Sequence, residues 1–172
     1  MQITVTIGDI LEQPADVLVS TANPWLNMSG GVNGAIRQRC PEIADELHGL
    51  LHQMGKSAVP AGTVVQTSAG TLPFDAILHA VAIDPFYDSS VELVASTVGT
   101  VFEKASALLA QTICLPALAT GYGPLTAEQF AQALVLSEKS WATIREVFVV
   151  VRTEDAAQQI RATLRANRRS DP

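Results

Sequence analysis

Six short aliphatic and β-branched runs punctuate the chain: Ile3–Ile7, Asp16–Ser20, Thr63–Thr67, Ala76–Ala82, Ile113–Pro116 and Val147–Val151. They are nearly continuously apolar, the pattern of strands covered on both faces. Longer amphipathic stretches separate most of them. Strand and helix in alternation define an α/β class, and two covered faces require three layers. One connection departs from the rule: TSAGTLPFD, residues 67–75, joins two strands by a short turn instead of a helix. That implies at least one antiparallel pair. The expected fold is a three-layer α/β/α sandwich around a mixed sheet of about six strands.

The helices carry their own signals. CPEIADELHGLLHQMG, residues 40–55, places Pro41 at the first helical position and Gly55 as a stop. Ile43, Leu47, Leu50, Leu51 and Met54 share one face. Ser89-x-x-Glu92 reads as a capping box. It opens a helix whose apolar stripe runs through Val91, Val94, Val98, Val101, Phe102, Ala105, Leu108 and Leu109. Thr126-x-x-Gln129 is a second capping box, turning Phe130, Leu134 and Trp141 inward. The last helix begins near Thr153 with Glu154 and Asp155 in its first turn and ends among Arg161, Arg165, Arg168 and Arg169. That order of charge complements the helix dipole, so the arginines read as capping and solvation.

A chain of 172 residues forms one domain, expected over residues 1–167 with a polar tail at 168–172. Its net charge of −6 disfavours a nucleic-acid backbone as partner, though backbone N–H groups can still bind a small anion. Cys40 and Cys114 lie far apart, with no zinc or disulfide spacing. The N-terminus has no signal-peptide pattern, and no apolar run is long enough for a membrane span. A soluble, cytoplasmic protein without membrane attachment is expected.

Two strand-to-helix loops then stand out. STANPWLNMSGGVNGAIRQR, residues 20–39, follows the second strand, and PALATGYGPLTAEQF, residues 116–130, follows the fifth. In an open α/β sheet, ligands bind beyond the C-terminal strand ends where such loops gather. Glycines let a ligand approach bare backbone, and a helix N-terminus favours an anion. A glycine pair also simply makes a tight turn. Two such loops facing one crevice could cradle a diphosphate from both sides. The alternatives among phosphate motifs fail: Gly55-Lys56-Ser57 lacks the upstream glycine of a Walker A loop, and Gly121-Tyr122-Gly123 lacks the third glycine of a dinucleotide fingerprint.

These residues resemble the macrodomain, an ADP-ribose-binding family, over almost the whole chain. The resemblance is carried by Gly8-Asp9-Ile10, by residues 15–23 (ADVLVSTAN), by residues 29–36 (SGGVNGAI), by Ile77-Leu78-His79-Ala80-Val81 and by residues 116–123 (PALATGYG). It implies that Asp9 accepts a hydrogen bond from the adenine amino group beside the Ile10 backbone. It implies that Asn23 binds the distal ribose, and that Gly30, Gly31 and Val32 hold the diphosphate and distal ribose. Thr120, Gly121, Tyr122 and Gly123 would close over the diphosphate. No cofactor or metal is implied. The partner would be ADP-ribose or a mono-ADP-ribosylated macromolecule, with nucleic acid only as an ADP-ribosylated acceptor.

Departures from the family pattern bear on chemistry. Ser20 stands for the family's first asparagine, and Met28 and Ser29 shorten the glycine run. Asn33 stands where many hydrolytic members carry an acid. An amide has no useful pKa for general-base work, yet it can orient a water. Binding is therefore the primary expectation. The alternative is an ADP-ribosyl hydrolase or O-acetyl-ADP-ribose deacetylase, in which Asn23 and Asn33 would position water at the distal ribose. A nucleic-acid or nucleotide-processing protein is a third class, opposed by the charge. Arg152 follows the last strand, either stacking on adenine by cation–π contact or facing solvent. His48 and His52 have the i, i+4 spacing of a metal pair but lack an evident third ligand. His79 reads as a hydrogen-bonded core histidine, and Asp84 and Asp88 as turn and N-cap groups. Trp25 and Tyr122 are loop aromatics that either cover a ligand or, for Trp25, plug the core.

Overall fold

The computed structural model describes residues 1–137 and 144–168. Six strands form one sheet: β1 (Gln2–Ile7), β2 (Val17–Thr21), β3 (Val64–Thr67), β4 (Ala76–Ala80), β5 (Thr112–Pro116) and β6 (Glu146–Val151). The helices are α1 (Gly31–Arg39), α2 (Glu42–Gln53), α3 (Val91–Ala107), α4 (Ala127–Leu136) and α5 (Glu154–Arg168), with a 3-10 turn at Ile10–Glu12. The strand order is β1-β6-β5-β2-β4-β3. Neighbours are parallel except β3 and β4, which run antiparallel across the turn expected at residues 67–75. This is the mixed three-layer sandwich that the apolar runs imply.

Strand parity divides the core. Val17, Val19, Leu78, Ile113, Leu115, Val147 and Val149 face α3, α4 and α5. Leu18, Ile77, Cys114 and Val150 face α1, α2 and the 3-10 turn. Both faces are thus buried, which explains why the strands do not alternate with polar residues. The connection after β2 runs through α1 and α2 on one face, and the connection after β5 runs through α4 on the other. Chains leaving two adjacent strands for opposite faces open a crevice between them. Pairing reinforces it: β2 and β5 share only the register pairs Val17↔Ile113 and Leu18↔Cys114. Asp16 ties their starting ends together, accepting from the backbone N–H of Gln111 at 2.7 Å and of Thr112 at 2.9 Å.

Several local expectations shift by one residue or fail. Pro41 is the N-cap of α2 rather than its first helical residue. The cap of α3 is Ser90, whose hydroxyl accepts from Leu93 N at 3.1 Å. Ser89 instead donates to the Ala82 carbonyl at 2.6 Å, so the expected Ser89–Glu92 box does not form. The Thr126–Gln129 box does form, with both reciprocal bonds. Trp141 and Arg169 lie outside the described residues. Met54, Leu108 and Leu109, read as core-facing, are exposed, because their helices end in tight turns there.

Gly55, at φ +63°, closes α2 in a Schellman motif: its N–H meets the His52 carbonyl, and Lys56 N–H meets the Leu51 carbonyl. The same pair of bonds closes α3 around Leu109, at φ +60° and 77% exposed. A leucine there carries the Cβ penalty that glycine avoids. Leu109→Gly is expected to raise stability by about 0.5–1 kcal/mol, read as a higher urea midpoint at unchanged slope. A lower midpoint would show that the left-handed turn carries no such cost.

Candidate ligand-binding cavity between two glycine-rich loops

A cavity of about 890 Å³ occupies the crevice beyond the C-terminal ends of β2, β5 and β6. That volume suits a nucleotide-sized ligand. Its floor is the turn into α1. Gly31 has φ +58°, a conformation that lets the chain enter the helix at once from the extended Gly30. Gly30 is the N-cap and supplies no side-chain cap, and the first turn holds no acidic residue. The first N–H groups of α1 therefore open on the cavity with the positive end of the helix dipole behind them.

The second loop differs from the expectation that both helix N-termini would serve. The N-terminus of α4 is occupied by its capping box, so this loop contributes through residues 119–123. It is tightly wound: Ala119 has φ +60°, and its carbonyl accepts from Leu125 N at 3.0 Å. A Cβ on Gly123 would stand 2.6 Å from that carbonyl oxygen. Tyr122, 74% exposed, reaches across to the first loop. Its hydroxyl lies 2.7 Å from where a Gly30 side chain would begin. Tyr87 meets the Tyr122 ring edge-on at 6.4 Å, joining a third loop to the rim.

Asn23, Gly30, Gly31, Val32, Asn33, Thr120, Gly121, Tyr122, Gly123 and Arg152 all line the cavity. The structure thus brings together most of the residues singled out in the sequence. Asp9 and Ile10 do not line it. Ile10 is buried in the 3-10 turn, and Asp9 sits past β1, where Gly8 N–H bonds the Val151 carbonyl. The Asp9 carboxylate accepts from Leu11 N at 3.0 Å and pairs with Arg39 at 2.7 Å, while Arg39 also pairs with Glu12. Asn23 is tied to Asn27 at 2.6 Å. Arg152 is exposed at the end of β6. Asp84 binds the N–H groups of Phe86 and Asp88, which is turn chemistry. His48 and His52 are exposed on α2, outside the cavity. Trp25 is 40% exposed and outside it as well, so it neither plugs the core nor covers this cavity.

Beneath the floor lies a polar cluster only partly legible in the sequence. Ser20 on β2 and His79 on β4 are register partners, and both face α1. Asn33 Oδ1 lies 2.6 Å from Ser20 Oγ and 3.1 Å from His79 Nδ1, and His79 Nε2 lies 2.9 Å from Thr67 Oγ1. His79 was legible as a bonded core histidine. Its link to Asn33 was not, because they are far apart in sequence and meet only when α1 folds over β2 and β4. Burial pushes the His79 imidazole down to about 4, so it is neutral at pH 7.

That shift has a definite sign. The unfolded chain binds a proton near the ordinary value of 6.5, whereas the native imidazole resists until about 4. The stability it contributes is complete above about pH 6.5, drains away between there and about 4, and is gone below. The loss amounts to about 3 kcal/mol by the lower limit. Urea midpoints at pH 7 and pH 4.5 should therefore fall further for the wild type than for His79→Gln. Equal falls would contradict a neutral buried histidine.

Comparison with known proteins agrees with this architecture. The macro domain family model matches residues 19–134. A macro domain-containing protein of Listeria monocytogenes is 35% identical over 147 residues, covering 83% of this chain and 81% of its own. A Klebsiella pneumoniae protein named O-acetyl-ADP-ribose deacetylase is 32% identical over 167 residues, covering 91% and 93%. The macrodomain of Oceanobacillus iheyensis solved with ADP superposes with a TM-score of 0.84 at 27% identity, covering 96% of this chain and 90% of that one. The uncapped glycine turn, the facing loop and these similarities make the chain a member of the macro domain family.

Proposed function

We propose that the cavity binds ADP-ribose, free or as the terminal mono-ADP-ribose group of a macromolecule. The observation that carries this reading is the uncapped N-terminus of α1 at Gly30 and Gly31, opposed across the cavity by Thr120–Gly123. The diphosphate lies between them, receiving N–H groups from Gly31 and Val32 on one side and the wound backbone of the second loop on the other. The distal ribose lies toward Asn23 and Asn33. The adenine lies toward the end of β6, where Arg152 offers a cationic face and Asp9, one strand further out, stands near the base's edge. An acidic chain can hold a dianion in this way because backbone dipoles replace lysine and arginine.

A second reading, an ADP-ribosyl hydrolase or O-acetyl-ADP-ribose deacetylase, is favoured by the name of the Klebsiella relative, which matches over nearly its full length. The chemistry limits how it could work. Among the described residues lining the cavity, the one carboxylate is Asp155. It belongs to α5, on the sheet face opposite α1, and accepts from Gln159 at 2.7 Å. A water attacking at the distal ribose would thus be oriented by Asn23, Asn33 and the substrate diphosphate rather than activated by a protein carboxylate.

Calorimetry with ADP-ribose should show saturable binding, and folded protein giving no heat at millimolar ligand would sink the proposal. Gly123→Ala, whose Cβ collides with the Ala119 carbonyl, should lower affinity by at least about tenfold. Asp9→Ala should narrow the preference for an adenine over a hypoxanthine ligand; unchanged discrimination removes Asp9 from the site. Turnover of mono-ADP-ribosylated protein or O-acetyl-ADP-ribose, abolished in Asn33→Ala, would establish the second reading over simple binding.

A further inference from the structure

Asn33 is 2% exposed, lines the cavity, and leaves its side-chain Nδ2 without any hydrogen-bond partner. A buried amide N–H₂ with no partner costs free energy unless a ligand or water completes it. We infer that Asn33 is held as a hydrogen-bond donor aimed into the cavity, its amide orientation set by Ser20 and by the Nδ1–H tautomer of His79. This deepens the ADP-ribose reading: the ligand atom over the α1 turn must be an oxygen with a free lone pair. Asn33 then extends the row of backbone donors at Gly31 and Val32 into a floor of donors alone.

The bookkeeping of protons supports this orientation. A neutral imidazole carries one N–H, and Thr67 has one hydroxyl proton. If the proton is on Nδ1, His79 donates to Asn33 Oδ1, Thr67 donates to Nε2, and Ser20 donates its hydroxyl to the same Oδ1. Asn33 Nδ2 is then the atom left without a partner. If the proton is on Nε2, Thr67 accepts it and donates to the Ser68 carbonyl, 2.9 Å away. The amide must then turn over, presenting its oxygen to the cavity as an acceptor. The separation between Ser20 Oγ and the Asn33 atom decides. At 2.6 Å it has the length of O–H···O and is short for any N–H···O bond. Among the described residues the other acceptor for the Ser20 hydroxyl is the Thr21 carbonyl, at 3.4 Å. Ser20 and His79 are positioning residues in this arrangement; neither lines the cavity.

The network can be read in unliganded protein, independently of which nucleotide binds. In protein labelled with ¹⁵N-histidine at pH 7, the His79 ring should show the Nδ1–H tautomer; the Nε2–H tautomer overturns the inference. On titration with ADP-ribose, the Asn33 side-chain N–H₂ resonances should shift together with the amides of Gly31 and Val32. Shifts at those glycine-turn amides without any at the Asn33 side chain would overturn it as well. No shift at any of them would instead reject ADP-ribose as ligand, with the tautomer still deciding the amide orientation. Ser20→Ala, which frees the amide to turn over, should weaken ADP-ribose binding about three- to tenfold and mix the two tautomers, while Ser20→Thr restores both. Wild-type affinity and a single tautomer in Ser20→Ala would show that Ser20 positions nothing.

Discussion

The site depends on how β2 and β5 part company. They are held at their beginnings by Asp16, which binds the first N–H groups of β5, and paired at only two positions beyond it. Past Leu18 they diverge, and their following helices go to opposite faces. Every feature of the cavity follows from that divergence. The first loop can drop its glycines toward the sheet, the second can arch over them, and Ser20 at the end of β2 is left with no ladder partner on β5. A sheet fully zipped along this seam would have buried the same apolar surface and left nowhere for a ligand.

Capping divides the helices by task. The N-termini of α3 and α4 are closed by Ser90 and by the Thr126–Gln129 box. Those of α1 and α2 have no side-chain cap, and of the two only α1 opens on the cavity. With glycine at the N-cap, the omitted side-chain cap forgoes only a few tenths of a kcal/mol of helix stability. At α1 the freed donors meet a cavity. The orphaned Asn33 amide belongs to the same economy, since both leave donors unmet, and among the described residues Asn33 Nδ2 is the one buried side-chain polar atom without a partner.

Much of this was legible in the residues, and the exceptions have physical causes. Continuous apolar runs announced the strands, and the glycine pairs announced the two loops. Residue-level caps were less secure, because adjacent serines at 89 and 90 offer equal chemistry and only the path of the chain selects between them. The exposure of Leu108 and Leu109 came from a left-handed turn that helical periodicity cannot foresee. The resemblance alone places Asp9 at a ligand's edge, and no local pattern announces its ion pair with Arg39, 30 residues away. The Ser20–Asn33–His79–Thr67 cluster joins four separate elements, so no local pattern could announce it.

Tyr122 gives the cavity an unusual kind of roof. The arch over the first loop is an aromatic ring on two rotatable bonds, resting near Gly30 and braced by Tyr87. Opening it requires a rotamer change rather than the breaking of backbone hydrogen bonds. The wound loop beneath can stay rigid while the doorway moves, so the timing of ligand entry and exit is separated from the geometry that recognises the ligand.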